Sequence, residues 1–325
     1  MIAIIGVIAL IGAILLGLAL QKRYKLIRSI AQGLILTYVV IVGALALGEL
    51  YFRYIHIDTE GRLASYRWME YHWRENQYGY RDREWTAEDL TGQQTIYILG
   101  DSFTEGWGIE NPDDRFSAVL AQDLGDDYAV VNLGSSGSST PEQQVFLEEA
   151  VERLGTPDTV ILQYFLNDIE YSALSVGMGV HIPEPPPLFR ESYLLNWLYA
   201  RFSAGFPSDY WQWQYDTYDN FGIWQIHERE LNAFADYVDA LDARLIVVIF
   251  PNLQDPVRSI PYVDRVAQAF ESRENPPDIL KLFDAAAALP VEDVVVSPRD
   301  GHPSVMFHHL VGDMIYELFF EQSPS

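Results

Sequence analysis

The stretch TIYILGDSFTEG, residues 95–106, decides the reading of the chain. Residues 95–100 form a short, mostly apolar run that stops at Gly100, which reads as a buried strand. The residues that follow are small and polar and stand where the carboxyl end of that strand opens. In open parallel sheets, ligands bind beyond the carboxyl ends of the strands. Ser102 therefore stands where either a helix cap or a reacting group belongs.

Working outward, strand and helix patterns alternate. Residues 116–124 have helical spacing and end at Gly125. Residues 128–133 (YAVVNL) read as a second strand. A helix then runs to Gly155, with Thr140 as its N-cap and Pro141 at the first helical position. Residues 159–165 (TVILQYF) are a third strand, and residues 244–250 (RLIVVIF) a fourth, after a helix over 224–242. A helix over 263–272 leads to a fifth strand at 279–283, and the last helix covers 304–320. Strands separated by helices imply right-handed βαβ units, hence an α/β domain with a parallel sheet covered on both faces. The domain is expected over 95–325, after a connector over 55–94 whose tyrosines and tryptophans pack on it.

One segment breaks this rhythm. Residues 170–223 carry PEPPP at 183–187 and most of an aromatic-dense run, SDYWQWQYDTYDNFGIW. So long a connection in a compact domain is usually functional. The insert is either a lid or binding loop, or a segment that packs against the domain or the membrane.

The first 54 residues follow another logic. Residues 2–20 and 29–48 are free of charge, and each is about long enough to cross the hydrocarbon. Lys22, Arg23, Lys25 and Arg28 lie in and around the loop between them. The positive-inside rule puts that loop in the cytoplasm and both chain ends outside. The reading is a transmembrane helical hairpin over 1–54, a two-span anchor for an extracytoplasmic domain. Tyr51 and Tyr54 follow the second run, where interfacial aromatics are common. A signal peptide would carry positive charge ahead of its apolar run, and none precedes the first one. A later cleavage site at Ala44-Leu45-Ala46 would leave the first run unexplained.

Composition narrows the classes. The 325 residues are 49% hydrophobic and 14% aromatic, which excludes wholesale disorder. Lys+Arg is 21 against 46 Asp+Glu, a net charge of -25, which repels phosphate backbones and argues against a nucleic-acid partner. Five of the basic residues and one acidic residue fall in 1–55, so the remainder is more acidic still. A surface so poor in lysine suits solubility in high salt. There is no cysteine, so disulfides, Cys-ligated zinc and thiol nucleophiles are excluded.

Four polar segments carry the chemistry: GDSFTEG at 100–106, NLGSSGSS at 132–139, LND at 166–168 and DGHPS at 300–304. Three stand at expected strand ends and the fourth just before the last helix. Each alone is a turn or a cap. Together they make a mechanism. A serine becomes a nucleophile at neutral pH only beside a base. Imidazole has the right pKa, and a carboxylate can fix its tautomer. Of seven histidines only His302, two residues after Asp300, stands in such a setting. The developing oxyanion needs preorganised donors. The Ser102 and Gly137 N–H groups and the Asn167 amide could supply three.

In order and content these blocks resemble the SGNH (GDSL-type) hydrolases. The resemblance implies a flavodoxin-like three-layer α/β/α fold with a parallel sheet, and ester chemistry without metal or cofactor. It implies Ser102 as nucleophile, Gly137 and Asn167 as oxyanion residues, His302 as base and Asp300 as its orienting acid. Two departures stand out. Phe165 lies two residues before Asn167, where the family usually has glycine. Asp300 and His302 are two apart rather than three, and Arg299 holds the usual acid position. Asp293 or a backbone carbonyl are the alternatives to Asp300.

Three functional readings follow. The first is a membrane-anchored serine esterase or O-acyltransferase/deacetylase that forms an acyl-enzyme, acting on an acylated small molecule or glycan. Sugars stack on indole faces, which makes Trp211 and Trp213 candidate substrate-binding residues, with Trp197 and Trp224 behind them. The same rings also suit the core or a membrane interface. The second is a lipid esterase or thioesterase at the bilayer surface, with the insert as lid. The third is a non-catalytic scaffold in an envelope polysaccharide machine. Retention of Ser, Gly, Asn and His together argues against it.

Overall fold

The computed structural model describes residues 2–180, 185–202 and 206–321. His181, Pro183 and Glu184 near the proline-rich stretch, residues 203–205 of the insert and the last four residues of the expected domain lie outside them. In chain order the helices are α1 (Ile2–Leu20), α2 (Lys25–Tyr54), α3 (Arg62–His72), α4 (Ser102–Glu105), α5 (Phe116–Leu124), α6 (Thr140–Leu154), α7 (Glu170–Ser175) and α8 (Pro187–Glu191). They continue as α9 (Tyr193–Phe202), α10 (Phe206–Asp219), α11 (Phe221–Ala240), α12 (Pro256–Glu271), α13 (Phe283–Ala287), α14 (Val291–Val294) and α15 (Val305–Phe319). The strands are β1 (Gln94–Leu99), β2 (Tyr128–Asn132), β3 (Thr159–Phe165), β4 (Arg244–Phe250), β5 (Asp278–Lys281), β6 (Val295–Ser297) and β7 (Asp300–Pro303). The chain divides into two compact units, Met1–Tyr71 with Ile182–Gly205, and His72–His181 with Phe206–Ser325.

The second unit is built on a parallel sheet in the order β2-β1-β3-β4-β5. Strands buried on both faces read as near-continuous apolar runs, as in β4 after Arg244 and in β3 apart from the buried Gln163. Successive side chains point to opposite faces, so each strand feeds two cores. Tyr97 and Leu99 of β1 join α6, α11 and α12 on one face. Ile96 and Ile98 join α5 and α15 on the other. The chain moves outward from β1 to β2, then returns past β1 to β3. The sheet's topological switch therefore lies between β1 and β3, where such folds bind ligands. β6 and β7 form a separate antiparallel pair.

The boundaries differ from the sequence reading at caps. The N-cap of α6 is Ser139, not Thr140, because Ser139 and Glu142 form a capping box. This frees the Thr140 hydroxyl to donate to Asp168 Oδ2 (2.8 Å). Helix α12 starts at Pro256 rather than 263, capped by Asp255. Pro261 inside it hides that start, since proline in a helical pattern reads as a break. Helix α11 starts at Phe221, where Asn220 accepts from the Gly222 and Ile223 N–H groups. The fifth strand ends at Lys281, not 283, because the chain turns into α13. In the connector, Trp73, Tyr80 and Trp85 are buried in the second unit and Trp68 in the first, whereas Tyr66, Tyr71 and Tyr78 are exposed, so only part of its rings pack on the domain as expected.

The insert is helical and divided. Helices α7 and α10 belong to the second unit, α8 and α9 to the first. Within the first unit α1 packs on α2, with the Tyr38 hydroxyl donating to the Ile8 carbonyl (2.5 Å). Among the described residues one helix, α2, is long and apolar enough to cross a membrane. The apolar stretch Gly6–Leu20 of α1 is shorter.

Candidate active site

β1 delivers Gly100 and Asp101 to the switch point, and α4 begins at once with Ser102. The turn requires glycine. A Cβ on Gly100 would lie 2.2 Å from Gln163 Oε1 and 2.3 Å from Thr104 Oγ1. Gln163, fully buried on β3, braces the turn by accepting from the Asp101 N–H (3.1 Å) and the Thr104 hydroxyl (2.8 Å). A lone amide in the apolar run of β3 was the visible signal for this role.

The fourth block arrives on β7. Ser102 Oγ lies 2.9 Å from His302 Nε2, and His302 Nδ1 donates to Asp300 Oδ1. A carboxylate only accepts, so the contact fixes the tautomer with its proton on Nδ1. Nε2 is then free to take the proton of the Ser102 hydroxyl. The two-residue spacing works because β7 is a strand, in which positions i and i+2 share a face. Asp293, the alternative acid, is exposed and caps nothing in the site; its carbonyl accepts from the Ser304 hydroxyl. Arg299, at the family's usual acid position, is exposed as well.

The third block follows β3. Asn167 Nδ2 donates to Asp101 Oδ2 (3.0 Å), which fixes the orientation of the amide and leaves its second N–H available. Asp101 also accepts from the Phe103 N–H through Oδ1 (2.9 Å). Burial pushes the Asp101 carboxyl above the usual range. Its neighbour Asp168, equally buried and facing the Asp101 charge, is pushed further up. Sequence reading used Asp101 only as part of a motif; in the structure it holds the Asn167 amide.

The second block loops over α4. Gly134 lets it approach: a Cβ there would lie 2.4 Å from the Glu105 nitrogen. Glu105 Oε2 accepts from the Ser136 N–H (2.6 Å) and so ties the loop one residue before Gly137. Glu105 is buried, and desolvation pushes its carboxyl up to about 7 against the Ser136 hydrogen bonds. Among the described residues no acceptor holds the Ser102 or Gly137 N–H.

Rings surround the pair. Phe103 and Trp107 lie 5.4 and 6.0 Å from the His302 ring. Phe165 stacks on Phe103 at 4.2 Å, so the residue that replaces the usual glycine becomes a wall of the site. Trp211 meets Phe165 edge-on at 5.7 Å. Trp213, two residues on and so on the other side of α10, stacks beside Tyr210 at 6.5 Å. Trp224 is buried in the core, and Trp197 belongs to the first unit, stacked near Phe52. Trp107 was missed in the sequence, although it directly follows the first block. Two other histidines are buried structural groups: His227 bonds to the Tyr164 hydroxyl (2.6 Å), and His308 accepts from the Phe116 N–H (3.2 Å).

The arrangement can deprotonate an alcohol and receive an oxyanion at one edge of the sheet. A family model described as GDSL-like lipase/acylhydrolase matches residues 98–305. Similar solved structures include a member of the lipolytic G-D-S-L family from Veillonella parvula. It is 13% identical, with 70% of this chain and 98% of that chain covered and a TM-score of 0.43. A carbohydrate acetylesterase family member from Sinorhizobium meliloti is 14% identical, covering 70% and 97%, at a TM-score of 0.42. The psychrotrophic esterase EstA from a Pseudoalteromonas species is 16% identical, covering 69% and 96%, at 0.42. No curated protein matches the chain.

Proposed function

The chain belongs to the GDSL-like lipase/acylhydrolase family of ester-bond hydrolases, and from that premise we propose that it is a membrane-anchored serine esterase working through an acyl-enzyme on Ser102. The observation that carries this reading is the Ser102–His302 contact at 2.9 Å, with Asp300 on the far side of the ring.

In the proposed mechanism His302 Nε2 takes the proton as Ser102 Oγ attacks the acyl carbonyl. Asp300 holds the imidazole and stabilises the imidazolium that forms. The Ser102 and Gly137 N–H groups and the Asn167 amide receive the oxyanion; one such donor is worth roughly 3–4 kcal/mol of barrier. The C–O bond to the leaving alcohol breaks, and His302 returns the proton to that alcohol. Water, deprotonated by His302, then attacks the acyl carbonyl; the bond to Ser102 Oγ breaks, His302 returns the proton to Oγ, and the acid leaves. If a sugar hydroxyl takes the place of water, the same steps transfer the acyl group.

The anchor is proposed as the two apolar segments over 1–54, with the basic loop cytoplasmic and the hydrolase domain, from about residue 95, extracytoplasmic. The charge pattern of Lys22, Arg23, Lys25 and Arg28 supports this. The proposed substrate is a short-chain acyl ester on a glycan. Phe165 and Phe103 fill space beside Ser102, which favours a small acyl group, and Trp211 offers a ring for a sugar to stack on. Acetate release from an O-acetylated oligosaccharide tests the substrate class. Turnover of lysophospholipid micelles in preference to the acetylated sugar would replace this reading with a lipid esterase.

A further inference from the structure

We propose that the outward face of α9, formed by Leu195, Leu198 and Phe202, is a lipid-facing surface seated in the headgroup–acyl boundary of the bilayer that α2 crosses. This rests on the membrane reading of α2 given above.

The level at which α9 sits follows from α2. Its charge-free run, residues 29–48, rises about 30 Å, the thickness of the hydrocarbon. Glu49 therefore emerges at the edge of the apolar layer, and Arg53 and Tyr54 one turn beyond. Helix α9 is fastened at that height. Glu49 Oε2 accepts from the Ser192 hydroxyl (2.7 Å) and the Leu194 N–H (3.0 Å), and Oε1 accepts from the Tyr193 N–H (3.2 Å). Arg53 pairs with the same carboxylate at 2.7 Å and covers the Tyr193 ring at 4.6 Å. Trp197 lies 4.6 Å from Phe52.

One face of α9 is thus committed to its own unit. Asn196, buried, accepts from the Leu63 N–H (3.1 Å) and donates to the Phe189 carbonyl (3.0 Å). Ala200 packs against Gly61. With Tyr193 and Trp197 these positions make a stripe at helical spacing. The opposite stripe is where a water-facing helix carries polar residues. Here it carries Leu195 and Leu198, both partly exposed, and Phe202, 74% exposed. The one charged residue of α9, Arg201, turns toward Glu60 (3.6 Å) and the Trp197 ring. Leu50, Tyr51 and Tyr54 at the end of α2 and Ile55 just past it are exposed too, so both helices carry exposed apolar side chains at the level where the interface would lie. Amphipathic helices of this kind lie in the plane of the interface with the apolar face sunk in it.

The absence of cysteine makes the test direct. The full chain, reconstituted in nanodiscs of phosphatidylcholine and phosphatidylglycerol, carries one nitrobenzoxadiazole label at a time, on Leu198→Cys, Phe202→Cys, Leu36→Cys or Gln225→Cys. Leu36 marks the middle of α2, and Gln225 a water-facing position on α11. Nitroxide lipids labelled near the headgroup should quench positions 198 and 202, nitroxides deep in the acyl chain should quench position 36, and iodide should quench position 225. Glu49→Ala should weaken lipid quenching at 202 while leaving position 36 unchanged. No quenching at 36 would refute the membrane reading itself. Quenching at 36 with iodide-accessible labels at 198 and 202 would overturn this proposal alone. Labels there shielded from both iodide and lipid would also overturn it, because a protein surface would then cover the stripe.

Discussion

Asp300 and His302 stand on the same face of one short strand, and their side chains meet there through Asp300 Oδ1 and His302 Nδ1. Extended backbone puts an acid on the same face as a histidine two residues later, so the β6–β7 pair is part of the site's construction. If this carboxylate sets the tautomer, Asp300→Asn lowers kcat for p-nitrophenyl acetate by about 10³–10⁴. Asp293→Asn leaves it within twofold. Steady-state rates of the two variants decide which acid serves His302.

The Asn167 amide is predicted to act on the transition state more than on the substrate. Asn167→Ala should lower kcat by roughly 10²–10³ with little change in KM. Asp101→Asn should produce a smaller loss of the same kind, because the amide of Asn167 then loses the acceptor that orients it. A rise in KM with unchanged kcat would point instead to ordinary binding.

Most of the central sheet was legible because β1, β3 and β4 are apolar runs with clear ends and buried strands tolerate little else. The blocks around Ser102, Gly137 and Asn167 stand out in the sequence only as a set: each alone reads as a turn or a cap, and it is their order at successive strand ends that points to one site. What was not legible depends on partners far away in sequence. Gln163 and Asp101 brace the site between β3 and the turn after β1; the lone amide in β3 marks Gln163, but its partners lie some sixty residues away and no local pattern names them. The start of α12 was obscured by Pro261. The division of the insert between two units follows from where α9 docks, which periodicity does not record.

Close approach at Gly134 predicts a steric penalty. Gly134→Ala drives a methyl toward the Glu105 nitrogen and the Thr104 backbone. Overpacking of this kind costs about 1–3 kcal/mol, and each kcal/mol lowers Tm by about 2–4 °C in a domain of this size. Thermal denaturation followed by circular dichroism checks the shift. A variant as stable as the parent would mean that the loop does not lie against α4.

Glu105 predicts a pH dependence of stability. Burial disfavours its charge and pushes the carboxyl up to about 7 in the folded chain, against 4.5 for an unperturbed glutamate. Between these values the folded state binds the extra proton, so this contribution is full below about 4.5 and is lost as pH rises through about 7. Glu105→Gln cannot ionise and its side-chain carbonyl can still accept from Ser136. The variant should therefore gain stability relative to the parent as pH rises across that window. Urea midpoints at pH 5 and pH 8 measure it. A gap that stays constant would show that Glu105 does not titrate there.

The central claim is that the Ser102 hydroxyl, set 2.9 Å from the His302 imidazole, is an activated nucleophile. Reaction with a fluorophosphonate, followed by peptide mass spectrometry, tests it most directly. The account predicts one adduct, located on Ser102, absent from Ser102→Ala and strongly slowed in His302→Ala. A parent protein that stays unlabelled, or a Ser102→Ala variant labelled as fast as the parent, would contradict it.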